Sequence, residues 1–222
     1  MPAFDNETMV RLSLVAIILL AALPIHEFSH ALIAYRLGDG TAKLLGRLTL
    51  NPTVHFDPVG GTILILTLLI PGSGFIFGWA KPTPVNPTNL RGGRQSDALV
   101  ALAGPASNLI MATAAAIPFR VMMANGMDPF STLGILFLLF IQINVSLMIF
   151  NLIPLPPLDG SHVLLALVDP RTSWQLRTFL GQYGSMILLA LILIPSVTGL
   201  PSPLGIIFEV IAGPIIRLLT GL

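Results

Sequence analysis

The densest chemistry in the sequence lies in five consecutive residues, His26-Glu27-Phe28-Ser29-His30. On a helix, His26 and His30 stand four residues apart and share one face. Two imidazoles so placed can bind one zinc ion. Glu27 beside them can take a proton from water that zinc acidifies. The bland alternative is a polar contact between helices. The setting weighs against it, because the pattern sits in an apolar stretch where ionisable groups are costly unless they serve a site. Pro24, just before the motif, removes a hydrogen bond to the Leu20 carbonyl and can kink the helix. Tyr35 and Arg36 mark an interface with water, which puts His30 about 8 Å inside at 1.5 Å per residue.

Catalytic zinc usually takes three protein ligands and keeps one position open. The candidates for the third are few: His55, His162, Asp57, Asp97, Asp159 and Glu209. Asp159 is the best. It closes Asn151-Leu-Ile-Pro-Leu-Pro-Pro-Leu-Asp159-Gly160, where three prolines force an extended chain and leave backbone groups unpaired. At membrane depth such a chain is tolerated only in the protein interior or along a cavity. A Pro-rich helix terminus with an Asp-Gly turn is the competing reading.

The elements that position these residues follow from composition. Of 222 residues, 54% are apolar and 9% charged, and the mean hydropathy is +0.87. An average soluble domain is about 25% charged. These figures exclude an ordinary soluble domain and a disordered chain. A net charge of +1 gives no basic face for nucleic acid. With no cysteine, disulfides, thiolate zinc sites and cysteine nucleophiles are excluded. An integral membrane protein remains.

Six apolar stretches occur, at about 10–35, 59–71, 98–123, 131–153, 180–196 and 203–221. A spanning helix needs about 20 apolar residues. The second stretch ends at Pro71-Gly72-Ser73-Gly74 and reads as a re-entrant or interfacial segment. If it does not cross, Arg36, Lys43, Arg47, Lys81, Arg91, Arg94, Arg171, Arg177 and Arg217 share one face, with only Arg11 and Arg120 opposite. By the positive-inside rule that face is cytoplasmic. The expected fold is an all-α polytopic membrane protein of five to six transmembrane helices. A re-entrant or strand-like element lies between the first and second full spans. One domain covers 1–222, with a catalytic core at about 10–168 and C-terminal helices at about 176–222. The first residues, with Asp5 and Glu7 and no base, do not read as a signal peptide.

The motifs HEFSH and NLIPLPPLDG together resemble the two signatures of the site-2 protease family, which are intramembrane zinc metalloproteases. Residues 46–58, 78–87 and 103–108 are similar to its compact prokaryotic branch, which has no PDZ or CBS domain. The resemblance covers about residues 15–168. It implies His26, His30 and Asp159 as ligands of one zinc ion and Glu27 as general base. It also implies Asn151 near the site, on the substrate carbonyl or the oxyanion. The substrates it implies are transmembrane proteins in the lipid bilayer of the cell membrane, cut nearer the cytoplasmic face. The apolar run at 59–71 and a strand-like Gly74–Ala80 would hold an extended substrate segment.

The other polar residues carry weaker expectations. Asn108 is a candidate for substrate or the oxyanion, with an interhelical contact as the alternative; Asn144 is similar. His55 is a hydrogen-bonded loop histidine, with a place at the site mouth or on a second metal as alternatives. His162 is expected to be structural. Glu209 is expected to be buried, with a local hydrogen bond or a pairing with Arg217. The main alternative function is a membrane zinc or cation transporter. That reading calls for ligands spread over several helices.

Overall fold

The computed structural model describes residues 6–69 and 78–222, and among them the chain forms helices and irregular segments but no strand. Five helical segments are long and apolar enough to cross a membrane: Val10–Arg36, Arg94–Ala124, Thr132–Asn151, Pro170–Pro195 and Pro203–Thr220. The all-α polytopic expectation therefore holds, with five candidate spans.

The first span is built from α1 (Asn6–Ile17), a π-helical turn (Ile18–Ala22) and α2 (Leu23–Arg36). The π turn is where Pro24 is accommodated. The amide of Leu23 reaches back five residues to the Ile18 carbonyl, and the wider turn makes room for a residue with no N–H. The same device recurs at Phe208–Ala212, just before Pro214, where the Gly213 amide reaches the Phe208 carbonyl.

Short elements follow: α3 (Thr41–Leu44), α4 (Pro52–His55) and α5 (Pro58–Leu69). The 12 residues of α5 span only about 18 Å, too short for a hydrocarbon core of about 30 Å. Then come an irregular strap at 78–86 and a 3-10 turn (Pro87–Asn89). The strand-like reading of Gly74–Ala80 is not met where it can be judged. Residues 78–80 form no strand, and 74–77 lie outside the described residues. The strap instead packs on α5, where a Cβ on Gly60 would overlap Trp79.

The long helix α6 (Arg94–Ala124) lies at the centre and packs against α2, α7 (Thr132–Asn151) and α8 (Gly160–Leu167). Ala112, Ala116 and Phe119 of α6 bury against Ile141, Val145 and Met148 of α7, and Ala212 closes this core from the C-terminal side. The last helices are α9 (Pro170–Thr198), α10 (Pro203–Ile207) and α11 (Gly213–Thr220).

Two expectations are corrected here. The helix expected at 180–196 begins ten residues earlier. Asp169 accepts hydrogen bonds from the Arg171 and Thr172 amides, and Pro170 fills the first helical position. Apolar patterning is blind to those polar opening turns. Glu209 is exposed, not buried. Arg217 lies eight residues on, about 12 Å along a helix, and no bond joins the two among the described residues.

Candidate metal centre and catalytic cavity

The histidines are positioned from α2 by two fixed hydrogen bonds. His30 Nδ1 faces the Val100 carbonyl of α6 at 2.7 Å, so the ring must donate from Nδ1. His26 Nδ1 lies 2.6 Å from Asn108 Oδ1, and its tautomer is fixed by a relay. Asn144 Nδ2 donates to the Phe140 carbonyl at 2.8 Å, which turns Asn144 Oδ1 towards Asn108. Asn108 Nδ2 then donates to that oxygen at 2.9 Å, which leaves Asn108 Oδ1 as an acceptor for His26 Nδ1–H. Both asparagines are fully buried. Orienting ligand histidines through their second nitrogen is the usual arrangement at metal sites.

Both Nε2 atoms therefore carry bare lone pairs. They face each other at 3.0 Å. Asp159 Oδ2 lies 3.2 Å from the first and 3.4 Å from the second. These contacts are not hydrogen bonds, since neither imidazole has a hydrogen to offer on that side. Asp159 Oδ2 is indeed a buried atom without a hydrogen-bond partner. Three converging lone pairs repel unless a cation lies between them. Ligands of tetrahedral zinc at about 2.0–2.1 Å from the ion stand about 3.3 Å apart, which matches all three spacings. Two imidazole nitrogens and one carboxylate oxygen thus fit zinc in chemistry and in size, and this trio is the cluster able to hold a metal among the described residues.

Asp159 arrives from the irregular segment between α7 and α8, which contains a cis Pro156–Pro157 bond. Gly104 is what lets α6 pass so close to the centre. A Cβ there would overlap both His26 and His30. The sequence signal was its place in the Gly104-Pro-Ala-Ser-Asn108 stretch, but nothing in the pattern gave its partner.

The centre opens on a cavity of about 470 Å³, bounded by α2, the strap, the start of α6 and the α7–α8 segment. Glu27 and Asn151 line it with the three ligands. Asn151 Nδ2 donates to the Leu147 carbonyl within its own helix at 2.9 Å. Asn108 does not line the cavity. Its amide is committed to His26 and Asn144, so the expectation that it meets substrate is replaced by a contact behind the ligand.

Glu27 is held by the strap: its Oε2 accepts from the Thr83 amide at 2.8 Å. Three buried groups anchor that strap, and of these the sequence singled out only His55. The His55 carbonyl accepts from the Lys81 amide at 2.9 Å. Arg47 bonds the Val54 carbonyl and, at 3.4 Å, the Pro82 carbonyl. Asp39 follows Gly38, whose φ of +110° turns the chain sharply at the end of α2. Its carboxylate accepts from the Asn86 amide at 2.7 Å, from Asn89 Nδ2 at 3.0 Å and from Thr41. Burial works to raise the Asp39 pKa, but these donors outweigh it and hold the carboxyl below its usual range.

His162 also lines the cavity, with Nδ1 2.8 Å from Asp97 Oδ2. That hydrogen bond raises the His162 pKa against opposition from burial. Of the proposed third ligands, Asp97 is thus bound to His162. Asp57 accepts from the Val59 and Gly60 amides. His55 contacts the Thr49 carbonyl at 2.8 Å through Nε2. The cavity beside His55 measures about 10 Å³, room for roughly one water.

The chain matches peptidase family M50 over residues 118–195, the stretch that holds Asn151 and Asp159. It is 44% identical over 183 residues to YwhC of Bacillus subtilis, a protein named as a candidate zinc metalloprotease. That alignment covers 81% of this chain and 80% of the relative. It is 34% identical to Rip2 of Mycolicibacterium smegmatis, which carries the same description, over 80% of this chain and 65% of the relative. Rip2 of Mycobacterium tuberculosis is 32% identical over 81% of this chain and 66% of its own length. No solved structure matches significantly. The chain belongs to peptidase family M50, the site-2 protease family. It is a multi-pass membrane protein and a zinc metalloprotease by family.

Proposed function

We propose that this chain hydrolyses peptide bonds within or beside the transmembrane segments of membrane proteins, using one zinc ion held by His26, His30 and Asp159. The observation that carries the reading is the meeting of three lone pairs at 3.0, 3.2 and 3.4 Å with a carboxylate beside them in one cavity. Bound zinc would supply Lewis acidity toward the scissile carbonyl and toward water.

This chain's own groups do the rest. Glu27 takes a proton from the attacking water and passes it to the leaving amine as the C–N bond breaks. Asn151 lines the cavity, and in this reading its amide donates to the substrate carbonyl or the oxyanion. His26 and His30 keep their tautomers through Asn108 and Val100. A substrate helix hides its peptide bonds, so a segment loosened by Gly, Pro or Asn is the preferred target.

The catalytic core is about 10–168, and the C-terminal helices pack on it through Ala212. Nine of the eleven bases share the face nearest the site in the expected topology. But Arg120, far along α6 from the site, donates to the Leu218 carbonyl, which puts Arg217 at that far end too. The other eight support an active site nearer the cytoplasmic side of the cell membrane. The partners are transmembrane protein substrates and the surrounding lipid.

The test uses purified chain in detergent with an apolar peptide carrying a helix-breaking Gly-Pro. Cleavage is expected, lost to a zinc chelator and restored by zinc. Zinc uptake into proteoliposomes without peptidase activity would favour the transporter reading instead. That reading is disfavoured by a ligand set that encloses a single point.

A further inference from the structure

Glu27 has no fixed partner on its own helix that would aim its carboxylate. Its aim comes from outside, from the strap. Thr83 donates twice to the same residue, from its amide to Glu27 Oε2 at 2.8 Å and from Oγ1 to the Glu27 carbonyl at 3.0 Å. The local sequence is Lys81-Pro82-Thr83-Pro84. Neither proline has an N–H, so Thr83 presents the single amide donor of the three. A residue before proline is confined to extended backbone, and Pro82 is fixed in φ. The direction of that amide is therefore set before Glu27 meets it. The strap is pinned on both sides of Thr83, by the Lys81 amide on the His55 carbonyl and the Asn86 amide on Asp39.

We propose that Thr83 is the positioning residue for Glu27, and that the strap at 78–86 sets the catalytic competence of the site by delivering that one amide. The Oγ1 bond locks strap to helix at the same residue. The carboxylate is then held with one oxygen engaged and the other free for water. The strap has no part in holding the three metal-ligand atoms, so zinc binding and the aim of the base are separable. This inference rests on the peptidase reading above.

The test measures zinc content, kcat and KM with a fluorogenic apolar peptide in detergent micelles. Thr83→Pro removes the amide hydrogen. It is expected to slow turnover by about 10- to 100-fold, part of what a general base contributes, with zinc content and KM within about twofold. Thr83→Ser keeps both donors and is expected to recover turnover to within a few-fold of wild type. A backbone ester at position 83, made by incorporating the α-hydroxy acid, removes only the N–H and decides the matter if Thr83→Pro misfolds. Unchanged kcat in the ester, or a loss matched by equal loss of zinc, overturns the inference. Wild-type chain that binds zinc and cleaves nothing would instead overturn the peptidase reading.

Discussion

His26 Nδ1 lies 2.6 Å from Asn108 Oδ1, across two helices and 82 residues of sequence. That bond is the last link of a buried relay beginning at the Phe140 carbonyl, and it decides which His26 nitrogen faces the metal. Asn108→Leu should remove the tautomer control while leaving the helix intact. Loss of such an orienting partner typically lowers metal affinity by about 10- to 100-fold. A chelator-competition titration checks this, with Asn144→Leu expected to give a smaller effect in the same direction.

Gly104 sits where α6 crosses the two ligand imidazoles, and a Cβ there would overlap both. Gly104→Ala should therefore lose zinc and activity together. Gly181 has nothing within 4 Å of the corresponding position. Gly181→Ala in α9 should leave activity intact and stabilise by roughly 0.5–1 kcal/mol. Zinc analysis and thermal melting of the two variants separate crowding at the site from a general glycine effect.

The trio of His26, His30 and Asp159 predicts a metal-dependent stability. Without a cation its lone pairs repel, and the metal binds the folded chain alone. At free zinc about 1,000 times the dissociation constant, linkage adds about 4 kcal/mol. Thermal melts with and without chelator should differ in wild type. Asp159→Ala should abolish most of the difference.

How much of this was legible in the sequence depends on the range of the signal. The motif at His26–His30 was legible because the helical period alone puts both imidazoles on one face. Asp159 was legible because prolines and a carboxylate at membrane depth have few uses. Asn108 was visible as a polar residue in a span, yet its partner was not, because hydrogen-bond direction is fixed by Asn144 and Phe140 on another helix. Thr83, Asp39 and Arg47 were not legible as a group. Each looks like an ordinary loop residue until the chain folds the strap back across α2. The Asp97–His162 pair was missed for the same reason, with 65 residues between its members.

Asp39 gives a pH prediction. Its pKa is lowered in the folded chain, so its contribution is present above the usual carboxylate pKa of about 3.9 and is lost as pH falls through the lower folded value. The strap should stay anchored at neutral pH and loosen only in strong acid. Asp39→Ala should loosen it at neutral pH, because the Asn86 amide, Asn89 Nδ2 and Thr41 lose the one acceptor that ties them together. Limited trypsin digestion should then cut faster after Arg91. Equal digestion rates for wild type and variant would contradict the anchoring role.

The most direct measurement is on Glu27→Gln, with zinc content and cleavage of a transmembrane peptide determined on the same purified sample. Glutamine keeps the shape and can still accept from the Thr83 amide, but it cannot take a proton. The expected result is zinc bound as in wild type, with cleavage slowed at least about a hundredfold. Zinc retained with wild-type cleavage would contradict the role of Glu27, and with it the reading of this site as a peptidase centre.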